Sequence, residues 1–547
     1  MIVLRLLLTF VIQTCKDVSC GFKNRIIDCC RIVLLVALGL FLSACNNDPD
    51  STVDDYDRLV VAMPTLGEST FLPWNGSTGR KLYLDPIYSY LIYIEPETGQ
   101  LIPGIAHRWE VSPDGKTHTL YLQQGLQFQK GWGELSSADV KFSIEQMIAP
   151  EAIAGPSSVL RRTIREVRAP DPYTVEVELS IPDVEFIRGY LTNGQSVMIV
   201  SKAYVESVGQ DEANNQPIGS GSYEMLEYDK DASITLKLRE DNENIWRTSP
   251  DFKEIHFLAA PEEFTRVAML KTGEADLAPV NFDSINVIER SGLQLTYVPR
   301  NWTPVVRLGG LTERYNNPDV PWSNQLVRLA MNYAIDKQVI IDSIFHGLGV
   351  VAGTDTPSLG LVNVEGFPYD PDKARELLRE AGYPQGFSMR LKTFTTSPGA
   401  ELPIVAQAVA LYWEAVGIKV SIEPTNWAGL RSAWITGNAT DVAWTHRGFP
   451  FTTPLAGLQT SNYSDSLFST FADNTTDDYL DRIGEELDSY RRQELVMELA
   501  NYLRDMGSIV FIGHIDEPYG ASKKVGHWPT INEQTTNLDM IERATLD

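Results

Sequence analysis

The chain has 547 residues, more than one hydrophobic core usually serves, so about three packed units are expected. Its composition is that of a globular protein, with 43% apolar residues. The formal net charge of -26 excludes the basic surface that nucleic acid or an anionic membrane would need. All five cysteines, Cys15, Cys20, Cys29, Cys30 and Cys45, lie near the N-terminus, so the body carries no disulfide, thiolate metal site or cysteine nucleophile.

Lys23, Arg25 and Arg31 precede an apolar run from Ile32 to Leu42, and Ser43 and Ala44 then lead to Cys45. A basic region, a short apolar region and small residues make a secretory signal, and the run is too short to cross roughly 30 Å of hydrocarbon as a helix. Leu42-Ser43-Ala44-Cys45 resembles the bacterial lipobox, in which the cysteine is acylated and becomes the mature N-terminus. Residues 1–45 are therefore read as a leader ending in a lipidation site at Cys45, and residues 46–57 as a polar tether.

The body opens with a strand from Leu59 to Met63. Ser136 is placed to cap a helix whose buried side holds Val140, Ile144, Met147 and Ile148. After the turn signal Asp171-Pro172, Tyr173, Val175, Val177 and Leu179 alternate with Thr174, Glu176 and Glu178, the period of a half-buried strand. A helix follows Ser323, with Leu326, Ala330, Tyr333 and Ala334 on one face. Asp370 and Pro371 suit the N-cap and first position of the next helix, whose stripe is Ala374, Leu377, Leu378 and Ala381, with Gly382 at its end. A helix from about Leu402 to Val416 stops at Gly417, and Ile418, Val420 and Ile422 form the following strand. Strands interspersed with helices indicate mixed α/β domains.

Several stretches resemble the family 5 bacterial extracellular solute-binding proteins, the group of oligopeptide, dipeptide and nickel-complex receptors. They are Tyr88–Gly99, Leu101–Gly115, Thr119–Phe128, Ser136–Ser143, Pro217–Tyr223, Arg266–Leu277 and Arg328–Lys337. Tyr369–Pro384 is the most specific. Two positions depart from the family: Gln123 stands where a basic residue is usual, and Lys130-Gly131 where Asp-Gly is usual. The likeness covers nearly all of residues 58–535 in the family's order and spacing.

The resemblance implies a two-lobed α/β periplasmic-binding-protein fold (type II-like) that closes around its ligand by a hinge, with an extra domain in the first lobe. The implied division is lobe I at 58–92, the extra domain at 93–210, lobe I again at 211–302, lobe II at 303–513 and a return to lobe I at 514–547. It further implies a monomer without cofactor or metal, lipid-anchored on the outer face of a bacterial membrane. Such a receptor captures a peptide or peptide-like solute for an ABC permease heterodimer with cytoplasmic ATPases.

In peptide-binding relatives a second-lobe loop reads roughly Gly-Trp-x-x-Asp, and its aspartate pairs with the peptide's α-ammonium. Here the stretch runs from Ala443 to Pro450; Trp444 matches, and Arg447 falls where the aspartate would be. A guanidinium suits a carboxylate or phosphate, so Arg447 implies an anionic ligand group; the alternative is a structural ion pair. Trp444, Thr445 and His446 complete the lobe II candidates, and Glu68 and Trp302 are those near the first lobe and the interlobe crossing.

Enzyme alternatives lack support. The seven histidines show no metal-ligand spacing, Gly219-Ser220-Gly221-Ser222-Tyr223 is not a nucleophile elbow, and no phosphate-binding loop is present. Two other readings stay open at this level: a sensor that presents its ligand to a signalling partner, and a secreted hydrolase working through acidic pairs.

Overall fold

The structure is a computed structural model that describes residues 55–67, 70–76, 80–96, 98–194, 197–355, 364–395, 399–448, 453–529 and 537–544. Cys45, the tether up to Asp54 and Glu68 lie outside the described residues. No helix among the described residues is long and apolar enough to cross a membrane.

The path begins with β1 (Arg58–Met63), whose four central residues are all buried. Leu59 and Val61 join one core, whereas Val60 and Ala62 join another on the opposite face. A strand covered on both faces must be apolar throughout, which is why this segment shows no alternation. A hairpin of β2 (Ile92–Ile94) and β3 (Leu101–Pro103) follows. Next comes a separate antiparallel sheet of β4 (Ala106–Val111), β5 (Thr117–Leu122), β6 (Ile164–Asp171) and β7 (Thr174–Leu179), in the order β4-β5-β7-β6. In β7 Val175, Val177 and Leu179 point into the core and the intervening residues are half-buried, as the period predicts.

The chain then returns beside β1. β8 (Tyr223–Asp229), β9 (Ser233–Leu238), β10 (Glu254–Ala259) and β11 (Leu277–Pro279) complete one half of a large sheet, with β1 parallel to β10 and β11. β12 (Gln294–Leu308) is 15 residues long and belongs to both lobes. Beyond it come β13 (Gly349–Val351), β14 (Ser388–Thr393), β15 (Lys419–Pro424), β16 (Ala443–Gly448), β17 (Val510–Phe511) and β18 (Gly513–Ala521). The second half of the sheet runs β15-β14-β16-β12.

Among the described residues the two halves of this sheet meet on β12 and β18. The first part of β12 pairs with β18, and its last six residues pair with β16. Between them, at Val298 to Trp302, the register shifts, and Arg300 takes a φ of 46°, a left-handed backbone that is costly for a residue with a Cβ. Side chains brace the crossing: the Arg300 N–H donates to Asp516 Oδ1 at 2.7 Å, Asn301 Nδ2 donates to Glu517, and Thr303 Oγ1 meets His514 Nδ1 at 2.7 Å. Away from the crossing, the Arg162 guanidinium pairs with Asp481 at 2.9 Å and lies over the Tyr463 ring.

The helices follow the sequence, with corrections to their buried faces: Ile148 and Ala381, expected inside, are only half-buried. Asp370 accepts from the Lys373 N–H at 2.8 Å, Ala374, Leu377 and Leu378 are buried, and Gly382 turns the chain with a φ of 90°. Ser136 and Asp139 form a reciprocal capping box ahead of Ser137–Ile148, with Val140, Ile144 and Met147 inside. The helix expected after Ser323 spans Gln325–Tyr333 and is capped by Asn324. Its buried face is Val327, Ala330 and Met331, continued by Ala334, whereas Leu326 and Tyr333 are only half-buried. It has neighbours on more than one side, Pro371–Glu380 and β17 among them, so the face is wider than the stripe chosen from spacing.

The segment Arg328–Lys337 holds the second lobe by satisfying main-chain carbonyls. Arg328 donates to the carbonyls of Trp322, Ser323 and Met506, and Asn332 bonds Ile509 and Phe511. Lys337 Nζ reaches the carbonyls of Asn332, Ile335 and Phe367, and burial pushes its ammonium down to about 7. Lys337→Met keeps the volume but removes every donor, and it is expected to lower stability by about 2 kcal/mol in urea denaturation. An unchanged midpoint would mean that water replaces the ammonium without loss.

Candidate ligand-binding site

Every residue of β16 is buried, the polar ones included. A strand carrying Thr, His and Arg in such a place must have partners built around it. Its register with β12 sets Arg307 opposite Trp444 and Val305 opposite His446, so Arg307, Trp444 and His446 share one face. Thr445 and Arg447 take the other face, where Thr445 Oγ1 donates to Thr393 Oγ1 at 2.7 Å on β14. Alternation thus separates the four candidates into two pairs.

Trp434, on the helix Trp427–Ile435, is the hub of the first face. Its ring centroid lies 5.3 Å from Trp444, 5.4 Å from His446 and 5.4 Å from the Arg307 guanidinium carbon. Trp427, two helical turns earlier, stacks on Phe394 at 5.4 Å and touches His446 at 5.3 Å. Arg307 is buried and bound to Asp355 Oδ2 at 3.0 Å and Thr470 Oγ1 at 3.1 Å. Gly448 ends the strand against the Asp355 carbonyl, where any Cβ would come within 1.9 Å of that oxygen. The glycine is what lets the Asp355 backbone sit against β16.

Two buried guanidiniums bracket His446. Desolvation first, then the charges of Arg307 and Arg447, hold its imidazole well below the usual range, so the ring is neutral. A neutral imidazole with aromatic neighbours is a hydrogen-bonding and packing group, and it does not sense pH in the physiological range.

Trp302 lies at the crossing and is fully buried, packed edge-on against Phe345 at 5.5 Å. It lines a cavity of about 20 Å³ between the lobes, together with Arg266, Asn281, Phe282, Glu401 and Glu517. Trp302 therefore joins residues of both halves, whereas Trp444, His446 and Arg447 belong to the second half alone.

Residue-by-residue reading missed Arg307, Asp355, Trp434 and Glu401. Two had usable signals: Arg307 is a lone charge in the apolar run Val305-Val306-Arg307-Leu308, and Trp427 and Trp434 are seven apart on one helix. Asp355 and Glu401 had none. Among the described residues no cluster of His, Cys, Asp and Glu is arranged to hold a metal ion.

With this geometry in place, the comparisons with known proteins are specific. Residues 100–468 match the bacterial extracellular solute-binding proteins, family 5 middle region. The dipeptide-binding protein of Escherichia coli K12 is 29% identical over 462 residues, covering 75% of this chain and 82% of its own length. The glutathione-binding protein GsiB of the same strain is 30% identical over 402 residues, 69% of this chain and 73% of its own. Among solved structures, DppA of Helicobacter pylori with the peptide STSA gives a TM-score of 0.76 at 22% identity, covering 89% of this chain and 98% of that one. AgaA from A.tumefacien R10 with agropinic acid gives 0.76 at 25% identity, covering 90% and 99%. The chain belongs to the bacterial extracellular solute-binding proteins of family 5, which are transport binding proteins and not enzymes.

Proposed function

We propose that this protein is a monomeric, lipid-anchored receptor that captures a peptide or peptide-like ligand bearing an anionic group and delivers it to an ABC permease. Relatives named for dipeptides and glutathione support the ligand class, and the lipobox-like Leu42–Cys45 supports the anchor. The observation that carries the anionic group is the pair of buried guanidiniums, Arg307 and Arg447, around a histidine that burial first, and their charges second, keep neutral. Arg307 is engaged by Asp355, and Arg447, where peptide-binding relatives carry an aspartate, is the cation assigned to the ligand. Trp427, Trp434 and Trp444 form an apolar aromatic wall on the face of β16 that carries His446.

The test begins with residues 46–547 expressed without the anchor and purified gently. The protein is then denatured, and the released compounds are identified by mass spectrometry. A small anionic peptide or conjugate is the expected product. Arg447→Ala is expected to weaken binding of that compound roughly 10–100-fold by isothermal titration, the worth of one charge-assisted bond. Unchanged affinity would remove Arg447 from the site.

A further inference from the structure

In the second-half helix Pro454–Asn462 every residue from Leu455 onward is buried, although Gln459, Thr460, Ser461 and Asn462 are polar. A helix covered on all faces needs neighbours on all of them, and the second half supplies only some. Leu455 and Leu458 share a core with Leu480, Ile483 and Leu499 of the helices Asn474–Glu485 and Ser489–Asp505. Ala456 belongs instead to the large core that joins Leu59 and Val61 of β1 to Leu120 and Val175 of the four-stranded sheet. The segment after β7 makes that contact: Tyr190 Oη donates to Gln459, and a Cβ added at Gly189 would stand 3.4 Å from Ala456 Cβ.

Charge follows the same line. Arg162, near the end of the helix Ser157–Thr163 before β6, interacts with Asp465, Asp477 and Asp481 of the second half. It pairs with Asp481 at 2.9 Å and covers the Tyr463 ring. Burial raises the Asp481 carboxyl and the Arg162 charge pulls it back, so the ions depend on each other across the junction. Arg492 meets Glu185 at 3.4 Å, and Arg431 donates to the Ile153 carbonyl at 2.8 Å from the helix that carries Trp427 and Trp434.

The halves are thus joined at the β12/β18 crossing, which is continuous backbone, and again at this junction, which is built from side chains. The first kind of joint bends, and the second can part. We infer that the junction is a releasable latch: the unit built on the four-stranded sheet, fused to the first half by their shared core, clamps the helices Pro454–Asn462 and Asn474–Glu485, and its release limits how fast ligand enters and leaves. The inference rests on the receptor reading above and deepens it, giving the extra unit the task of holding the closed form through residues other than those of the candidate site. A contact made only in the closed form raises that form's population whether or not ligand is bound.

The experiment uses residues 46–547, which contain no cysteine, so a pair can be introduced without competing thiols. In Gly189→Cys, Ala456→Cys the Cβ separation of 3.4 Å lies close to the ~3.5–4.5 Å of a disulfide, and oxidation ties the latch shut. The probe is an equimolar set of di- to tetrapeptides, and early uptake is read by mass spectrometry after rapid desalting. The oxidised variant is expected to take up roughly tenfold less than the same protein after reduction, and to keep peptide loaded before oxidation. Arg162→Met keeps the stem and drops the charge, and it is expected to release loaded peptide about tenfold faster than the parent. X-ray scattering of unloaded protein needs no peptide: Arg162→Met with Tyr190→Phe is expected to show a larger radius of gyration than the parent, and the oxidised pair no larger one. Equal uptake by the oxidised and reduced forms would show that the junction is fixed packing, overturning the latch and leaving the receptor reading standing. If the parent takes up no peptide, the peptide reading fails and scattering decides the latch, which an unchanged radius in Arg162→Met, Tyr190→Phe would overturn.

Discussion

Arg307→Leu is expected to lower the stability of the second lobe by roughly 3–5 kcal/mol, the largest loss of any single change considered for this protein. Arg307 sits in the last turnless stretch of β12, with its guanidinium on Asp355 at 3.0 Å and on Thr470 at 3.1 Å, and both ions are nearly inaccessible to water. Burial alone would push the guanidinium to release its proton, and Asp355 opposes that. Removing the cation leaves a carboxylate held inside the protein by the β16 end, where Gly448 packs on its carbonyl. The penalty is that of an uncompensated buried charge, which exceeds the net worth of the pair itself. The double variant Arg307→Leu, Asp355→Leu should therefore recover much of the loss, because neither charge then needs solvation. Urea denaturation of both variants against the parent decides this. A double variant as unstable as the single one would mean that Arg307 acts through packing on Trp434 and not through charge. A second readout is His446: with Arg307 gone, one of the two cations that oppose its protonation is lost, so its titration moves upward.

What the sequence disclosed depended on the range of the interaction. Caps and periods are local, so the Asp370–Lys373 cap, the Ser136–Asp139 box and the alternation of β7 were legible from neighbouring residues. Family likeness carried the two-lobed α/β fold further than spacing could. The helix at Gln325–Tyr333 shows where local reading fails, since a helix with several neighbours buries more than one stripe. The candidate site was half legible. Trp444 and Arg447 were found because a short motif places them, but alternation on β16 puts them on opposite faces, which a list of consecutive residues conceals. Asp355 lies 48 residues from Arg307, and Glu401, Glu517 and Trp302 come from three separate stretches. Only the folded chain brings such residues together, and nothing in their flanking sequence distinguishes them from solvated acids.

Glu401→Gln is expected to stabilise the unliganded protein by roughly 3 kcal/mol above neutral pH and to change it little in acid, a difference that grows with pH. The carboxyl is raised from 4.5 to about 7, chiefly by burial; its own backbone N–H pulls it down, the Glu263 and Asp283 carboxylates push it up, and Arg266 opposes them weakly. Asp283 is itself met by His346 at 3.2 Å, and Glu517 is engaged by Asn301. Below pH 4.5 the group is protonated whether the chain is folded or unfolded, and it contributes no slope. As pH rises from there, the unfolded chain ionises first, the folded chain binds the extra proton, and stability falls until about 7, where the folded carboxyl ionises as well. Glutamine fills the same volume and does not titrate, so the variant lacks this fall. Urea midpoints for the two proteins at pH 5, 6, 7 and 8 should therefore diverge with rising pH, and parallel curves would mean that Glu401 ionises in the folded chain as it does in water.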